Sequence, residues 1–167
     1  MPVPNSGRPP ARGGISPRKT VLRGHVPEQG EYFAARAGDS PYPPGTQLPA
    51  GAALPRPVPA WYHPTVPAER PIPFDYSVIY ADRDLIVADK PHFLPTTTNG
   101  RLQRETLQTR LRVDFGEDDI VPLHRLDRLT AGLVLCSRNP ATRAAYQRIF
   151  GEGSAVKRYR GVVKRPL

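Results

Sequence analysis

Proline sets the first limit on what this chain can fold into. Of its 22 prolines, 17 lie at or before Pro73 and five after it. Each proline fixes φ and removes a backbone donor, so so dense a run reads as loops and extended pieces rather than a packed core. The spacing predicts a boundary near Pro71 to Pro73 and three zones: a flexible basic arm over residues 1–25, a Pro/Gly-rich accessory segment over 26–72, and a folded domain over 73–167. The accessory segment is expected to be irregular, with a short helix around Glu31 to Ala37 and with Trp61 and Tyr62 packing it against the domain or stacking on a base.

Beyond Pro73 the sequence becomes periodic. Ser77 to Tyr80 and Leu85 to Ala88 are β-rich runs on either side of the turn-forming stretch ADRD, which predicts a hairpin, with Lys90-Pro91 ending its second strand. Thr106 is placed to cap a helix carrying Leu107, Leu111 and Val113 on one side and closing at Gly116. The run GLVLCS, ending at Ser137, has strand length and is apolar throughout, as in a strand buried on both faces. Asn139-Pro140 opens a second helix that stops at Gly151, and SAVKRYRGVV reads as a final strand. Strand, strand, helix, loop, strand, helix, strand implies an α+β fold with a mixed or antiparallel sheet and flanking helices.

Charge narrows the partners. The chain carries 24 Lys and Arg against 15 Asp and Glu, and from Arg125 onward there are ten basic residues and two acids. Such a surface suits a phosphate backbone. The single cysteine, Cys136, excludes an internal disulfide and sits in an apolar run where a buried, inert thiol is expected. No apolar run approaches the roughly 20 residues of a membrane-spanning helix. His25, His63, His92 and His124 are scattered without metal-ligand spacing. The expectation is a soluble, cytoplasmic monomer without a metal.

One stretch carries chemistry: HRLDRLTAGLVLCS, residues 124–137. It places Asp127 between Arg125 and Arg128, so two permanent cations favour the ionised carboxylate if their charges reach it, and an anion held ready beside cations is a candidate nucleophile. An exposed ion pair in a polar loop is the alternative. HRLD and Asp114-Phe115-Gly116 imitate two protein-kinase motifs, but they come in the reverse order and Gly132 stands where a kinase needs asparagine. Nothing in the sequence pairs Asp127 with a second acid, as a glycosidase would require.

HRLDRLTAGLVL resembles the H-R-L-D-x-x-T-S-G-L signature of pseudouridine synthases of the RluA type, within the RsuA/RluA group. Two further strings agree in order: IYADRDLIVADKPHFLP is similar to that family's I-Y-x-D-x-x-L-x-V-x-x-K-P run ending in Gly-Leu-Pro, and VKRYRGVV to its K-x-Y strand. The resemblance covers about half the chain. It implies an enzyme that isomerises uridine to pseudouridine in rRNA or tRNA by breaking the N1–C1′ bond, turning the uracil and rejoining it through C5, with no cofactor.

By this resemblance Asp127 is the catalytic carboxylate and Tyr159 packs against the uracil and takes the C5 proton. Arg125 fills the gap left by a flipped base or holds the backbone, Arg128 and Lys157 join it as RNA-binding residues, and Lys90, at the family's lysine before proline, binds RNA phosphate or shapes the site. His124 and Thr130 shape the loop through hydrogen bonds to nearby backbone, and Gly132 allows close backbone approach. Ala131 stands where the family has serine, a change that removes one hydroxyl and leaves the nucleophile. The chain ends just after the K-x-Y segment, whereas the family's catalytic domain continues and supplies from later strands a basic residue that pairs with the aspartate. The implied unit is therefore the N-terminal part of a catalytic domain, expected to be marginally stable and weakly active or inactive alone. A non-catalytic RNA-binding fragment is the alternative, although a pure binder has no use for Asp127.

Overall fold

In the computed structural model of the chain, residues 7–36, 40–98 and 100–164 are described. They form two four-stranded antiparallel sheets and two helices, an α+β arrangement. The first sheet comprises β1 (Arg18–His25), β2 (Tyr32–Ala34), β3 (Gln47–Leu48) and β4 (Ala53–Tyr62) in the order β1-β4-β2-β3. The second comprises β5 (Ser77–Ala81), β6 (Leu85–Lys90), β7 (Val121–Pro122) and β8 (Gly132–Ser137) in the order β5-β6-β8-β7, with α1 (Leu107–Phe115) and α2 (Pro140–Gly151).

The first sheet corrects the reading of the Pro-rich half. Arg18 to His25, assigned to a flexible arm, are strand β1, and Tyr32 to Ala34, within the expected helix, are β2. β4 contains Pro55, Pro57 and Pro59, and the first two fall where the pairing with β1 shifts register, between Leu54 and Val58. The Pro59 carbonyl accepts a bond from the Ala35 N–H, just past the end of β2. β2 pairs only with Ala60 to Tyr62, so Pro55 and Pro57 lie beyond its end, where no ladder donor is required. The intervening Leu54, Val58 and Ala60 bury against Leu22, Val26, Ala34 and Leu48 to give this half its own core. Proline density misled because placement, not number, decides whether a strand survives.

The second half follows the sequence closely apart from the two-residue β7, which the sequence does not predict. Asp82 Oδ1 accepts the Asp84 and Leu85 amides and closes the β5–β6 hairpin. Thr106 caps α1 through the Thr109 amide, and Gly116 closes it with φ +65°. Asn139 Oδ1 caps α2 through the Ala141 amide, with Pro140 in the first turn. Ile86 and Ala88 of β6, Val134 and Cys136 of β8, and Leu107 and Leu111 of α1 form a core with Leu94 and Ile120. Burial pushes the Cys136 thiol up to about 12, consistent with an inert thiol.

Three local expectations fail. Val113 is 56% exposed and does not join the apolar side of α1. β8 is buried on one face only, for Leu133 is 54% exposed. Residues 154–164 carry strand-forming side chains but no strand, because no described strand offers them a ladder; Val156 and Val162 stand in solvent. The two halves are stitched at α1 and the loop before it. Arg112 donates to the Gly14 carbonyl and Ser16 hydroxyl, Arg18 to Gln103, and the Ala11 amide to Asp118.

Leu111→Ala is expected to lower the unfolding free energy by about 3 kcal/mol, as for other buried leucines, and Thr106→Ala by about 1 kcal/mol through loss of the cap. Urea titration measures both. A Leu111→Ala loss under about 1 kcal/mol would mean that α1 does not pack as described.

Candidate active site

The HRLD stretch is the connection between β7 and β8, and its conformation is fixed by a second loop, residues 91–96. Thr96, 2% exposed, donates its hydroxyl to the Leu126 carbonyl at 2.7 Å and accepts the Leu126 amide at 3.1 Å. The Phe93 amide donates to the Arg128 carbonyl at 2.7 Å, and Arg128 Nε returns a bond to the Phe93 carbonyl at 3.0 Å. His92 Nδ1 lies 2.7 Å from the Leu129 carbonyl, so it carries the proton in that bond. Within the loop, the Thr130 amide closes a turn onto the Asp127 carbonyl at 3.0 Å. Asp127 thus has its main chain pinned on both sides while its residue remains exposed.

Beneath this pair of loops lies Lys90. Its position on β6, in phase with Ile86 and Ala88, turns it to the core face, where it is 0% exposed. The ammonium donates to the carbonyls of Pro91 at 3.0 Å and Leu94 at 2.8 Å. Burial lowers the Lys90 pKa, and the charge of Asp127 raises it in part. Of the two roles open to Lys90, burial rules out the RNA contact and leaves the shaping of the site: a fully buried ammonium cannot meet a phosphate, and here it holds the loop after β6 within reach of the Asp127 charge. The flanking arginines do less than their sequence position suggests. No described ion pair joins Arg125 or Arg128 to Asp127, and Arg128 directs Nε to Phe93.

His124, Gly132, Lys157 and Tyr159 meet around one cleft of about 470 Å³, walled also by Leu126 and Phe150. His124 Nε2 accepts the Leu135 amide at 3.1 Å, and its ring lies 5.0 Å from that of Phe150. Lys157 Nζ sits 5.4 Å from the Phe150 centroid. Tyr159 is 65% exposed on the segment without strand partners. Gly132 has φ +133°, and a Cβ there would meet only Leu126 Cδ1 at 3.8 Å. Its glycine therefore serves backbone conformation rather than the close approach expected of it. Thr130 acts through its main chain. Arg128 lines a separate groove with Phe74 and Phe93, so Asp127 stands in sequence between a residue of each concavity.

Residues 84–167 match the family described as RNA pseudouridylate synthase. The chain belongs to that family. It is 35% identical over 103 residues to an RNA pseudouridine synthase of Synechocystis sp., covering 62% of this chain and 35% of that protein. To RNA pseudouridine synthase 5 of Arabidopsis thaliana it is 31% identical over 123 residues, covering 68% and 32%. To the tRNA pseudouridine(31) synthase of Saccharomyces cerevisiae it is 27% identical over 89 residues, covering 53% and 22%. The chain spans about a third of the length of the first two relatives. The match takes in both site loops, including Phe93-Leu94-Pro95 where the family run ends in Gly-Leu-Pro.

Thr96 and Phe93 were not singled out from the sequence. Their signal was the PHFLPT string, whose function as a clamp depends on a partner loop some 30 residues away. Among the described residues no cluster of His, Cys, Asp or Glu forms a metal-binding group, and no helix is long and apolar enough to cross a membrane.

Two outcomes follow. Thr96→Val removes both bonds to Leu126 at nearly constant shape and should cost about 1–2 kcal/mol, with faster hydrogen exchange at the Leu126 amide. Burial, then the nearby Lys157 charge, hold His124 below its ordinary 6.5. As pH falls the unfolded chain takes up its proton first, so this contribution is full above about 6.5 and is lost as pH drops through the lowered folded value. His124→Gln, whose side-chain oxygen accepts the same bond without titrating, should lose less stability between pH 7.5 and 5 than the parent in urea titrations.

Proposed function

We propose that this chain carries the catalytic aspartate of an RNA pseudouridine synthase that isomerises uridine in structured rRNA or tRNA. The observation that supports this most directly is Asp127 itself. It is an exposed residue whose main chain is clamped on both sides, with its charge felt by the buried Lys90, beside a cleft that holds Tyr159, Leu126 and Gly132. A main chain fixed in this way presents the carboxylate without the loop first being ordered.

In the proposed reaction the target uridine leaves its stack and enters the cleft. Asp127 attacks, or assists departure, as the N1–C1′ bond breaks. The uracil then turns and C5 bonds to C1′, displacing the Asp127 carboxylate where it had attacked; Tyr159 gives its hydroxyl proton to N1 and takes the C5 proton in its place, so the product is an isomer of the substrate. Leu126, Leu133 and Phe150 offer the ring an apolar wall. Arg125, exposed on the loop and in none of the described ion pairs, occupies the gap left in the stack or holds a phosphate, and Lys157 and Arg128 hold flanking phosphates. No step calls for a redox change, a cofactor or a metal. The relative named a tRNA pseudouridine(31) synthase makes transfer RNA one reasonable substrate class. We place the protein in the cytoplasm as a monomer whose accessory sheet, β1 to β4 over residues 18–62, sits upstream of the catalytic unit.

Release of tritium from 5-tritiated uridine in bulk ribosomal and transfer RNA tests the proposal. The chain is expected to release tritium, Asp127→Asn to fall to background, and Tyr159→Phe to fall in rate, while Asp127→Asn binds RNA at least as tightly because one negative charge is gone. If Asp127→Asn turns over like the parent, Asp127 is not the catalytic group. If nothing turns over while all bind RNA with steep salt dependence, a binding module is the better account.

A further inference from the structure

The groove on the other side of the loop has features that folding alone does not explain. Phe74 and Phe93 stack with centroids 5.6 Å apart and planes 28° apart, yet remain 44% and 45% exposed. Phe93 has φ +70°, the only described non-glycine residue with positive φ, in a region L side chains avoid. A strained backbone that presents a large apolar ring to solvent gains little from burial. Such outliers concentrate where a ligand is held.

The surroundings point to the occupant. The pair lines a groove of about 560 Å³ whose other walls include Arg70, Arg101 and Arg128, and no acidic residue lines it. An aromatic face stacks on any base, and arginines at its rim meet the phosphates on either side. Phe93 is also tied directly to the active-site loop through its two bonds with Arg128. A group held on Phe93 is therefore registered against Asp127, one residue away from Arg128.

We propose that this groove is a second base site: an unpaired nucleotide close to the target uridine stacks on Phe93, supported from behind by Phe74, with Arg70, Arg101 and Arg128 on its phosphates. The proposal rests on RNA being the substrate and adds a requirement to it. The RNA must present two unstacked bases, one for the cleft and one for the groove. Phe93 is then a specificity-determining residue, and the strain of its backbone aims its ring outward.

The test uses the full chain and two probes of equal backbone charge, a uridine decamer and the same decamer lacking bases, with affinity read by fluorescence anisotropy. Phe93→Gly suits the backbone at φ +70°, so near-ultraviolet circular dichroism should show a folded protein. Phe93→Gly is expected to weaken binding of the uridine decamer roughly tenfold and to leave the baseless decamer unchanged. Phe93→Trp should restore the difference, and a 5-iodouridine decamer should photo-crosslink to Phe93 or Phe74. Equal loss on both probes, or no loss on either with crosslinks elsewhere, would falsify the base site while leaving the RNA-enzyme proposal standing if Asp127-dependent tritium release persists. Self-association of the parent that Phe93→Gly abolishes would assign the groove to a second copy and also overturn it. A chain that binds neither decamer and releases no tritium removes both proposals together.

Discussion

The buried ammonium of Lys90 is the interaction on which the site depends. A fully buried cation is costly unless it is hydrogen-bonded, and Lys90 gives two of its three donors to the carbonyls of Pro91 and Leu94. Doing so bends the chain after β6 around the ammonium. The bend brings Thr96 and Phe93 to the HRLD loop, and it keeps a positive charge within electrostatic reach of Asp127. One side chain thereby links the central sheet, the clamp and the carboxylate.

The loop so held divides two concavities of different character. The cleft beside Leu126 has a tyrosine, a histidine and a glycine in it, whereas the groove beside Arg128 has stacked phenylalanines rimmed by arginines. Chemistry suits the first and recognition the second. Rigidity matters for both, because hydrogen bonds between the loops fix their spacing. The N-terminal sheet contributes at a distance: Arg112 and Arg18 bind it to α1 and to the loop before it.

Much of the second half was legible in the sequence because its signals are local. A β5–β6 hairpin around an Asx turn, Thr106 and Asn139 caps, and a Gly116 stop each act within a few residues. The Pro-rich half misled because the same local signal, proline, is tolerated wherever its missing donor faces no partner, as with Pro55 and Pro57. Residues 154–164 misled in the opposite sense, since strand-forming side chains make a strand only against a ladder.

By itself the sequence determined the order of elements from Ser77 to Gly151 apart from the two-residue β7, the motif that carries Asp127, and the family to which residues 84–167 belong. These follow from spacing and from residue types, which are properties of the linear chain. Tertiary structure decided that a cation distant in sequence is buried within electrostatic reach of Asp127. No described ion pair joins Arg125, Arg128 or Lys90 to it, yet the Asp127 charge raises the pKa of Lys90, 37 positions away, against the effect of its burial. Electrostatic coupling falls with distance through space, and distance through space is set by how β6 and the two loops pack.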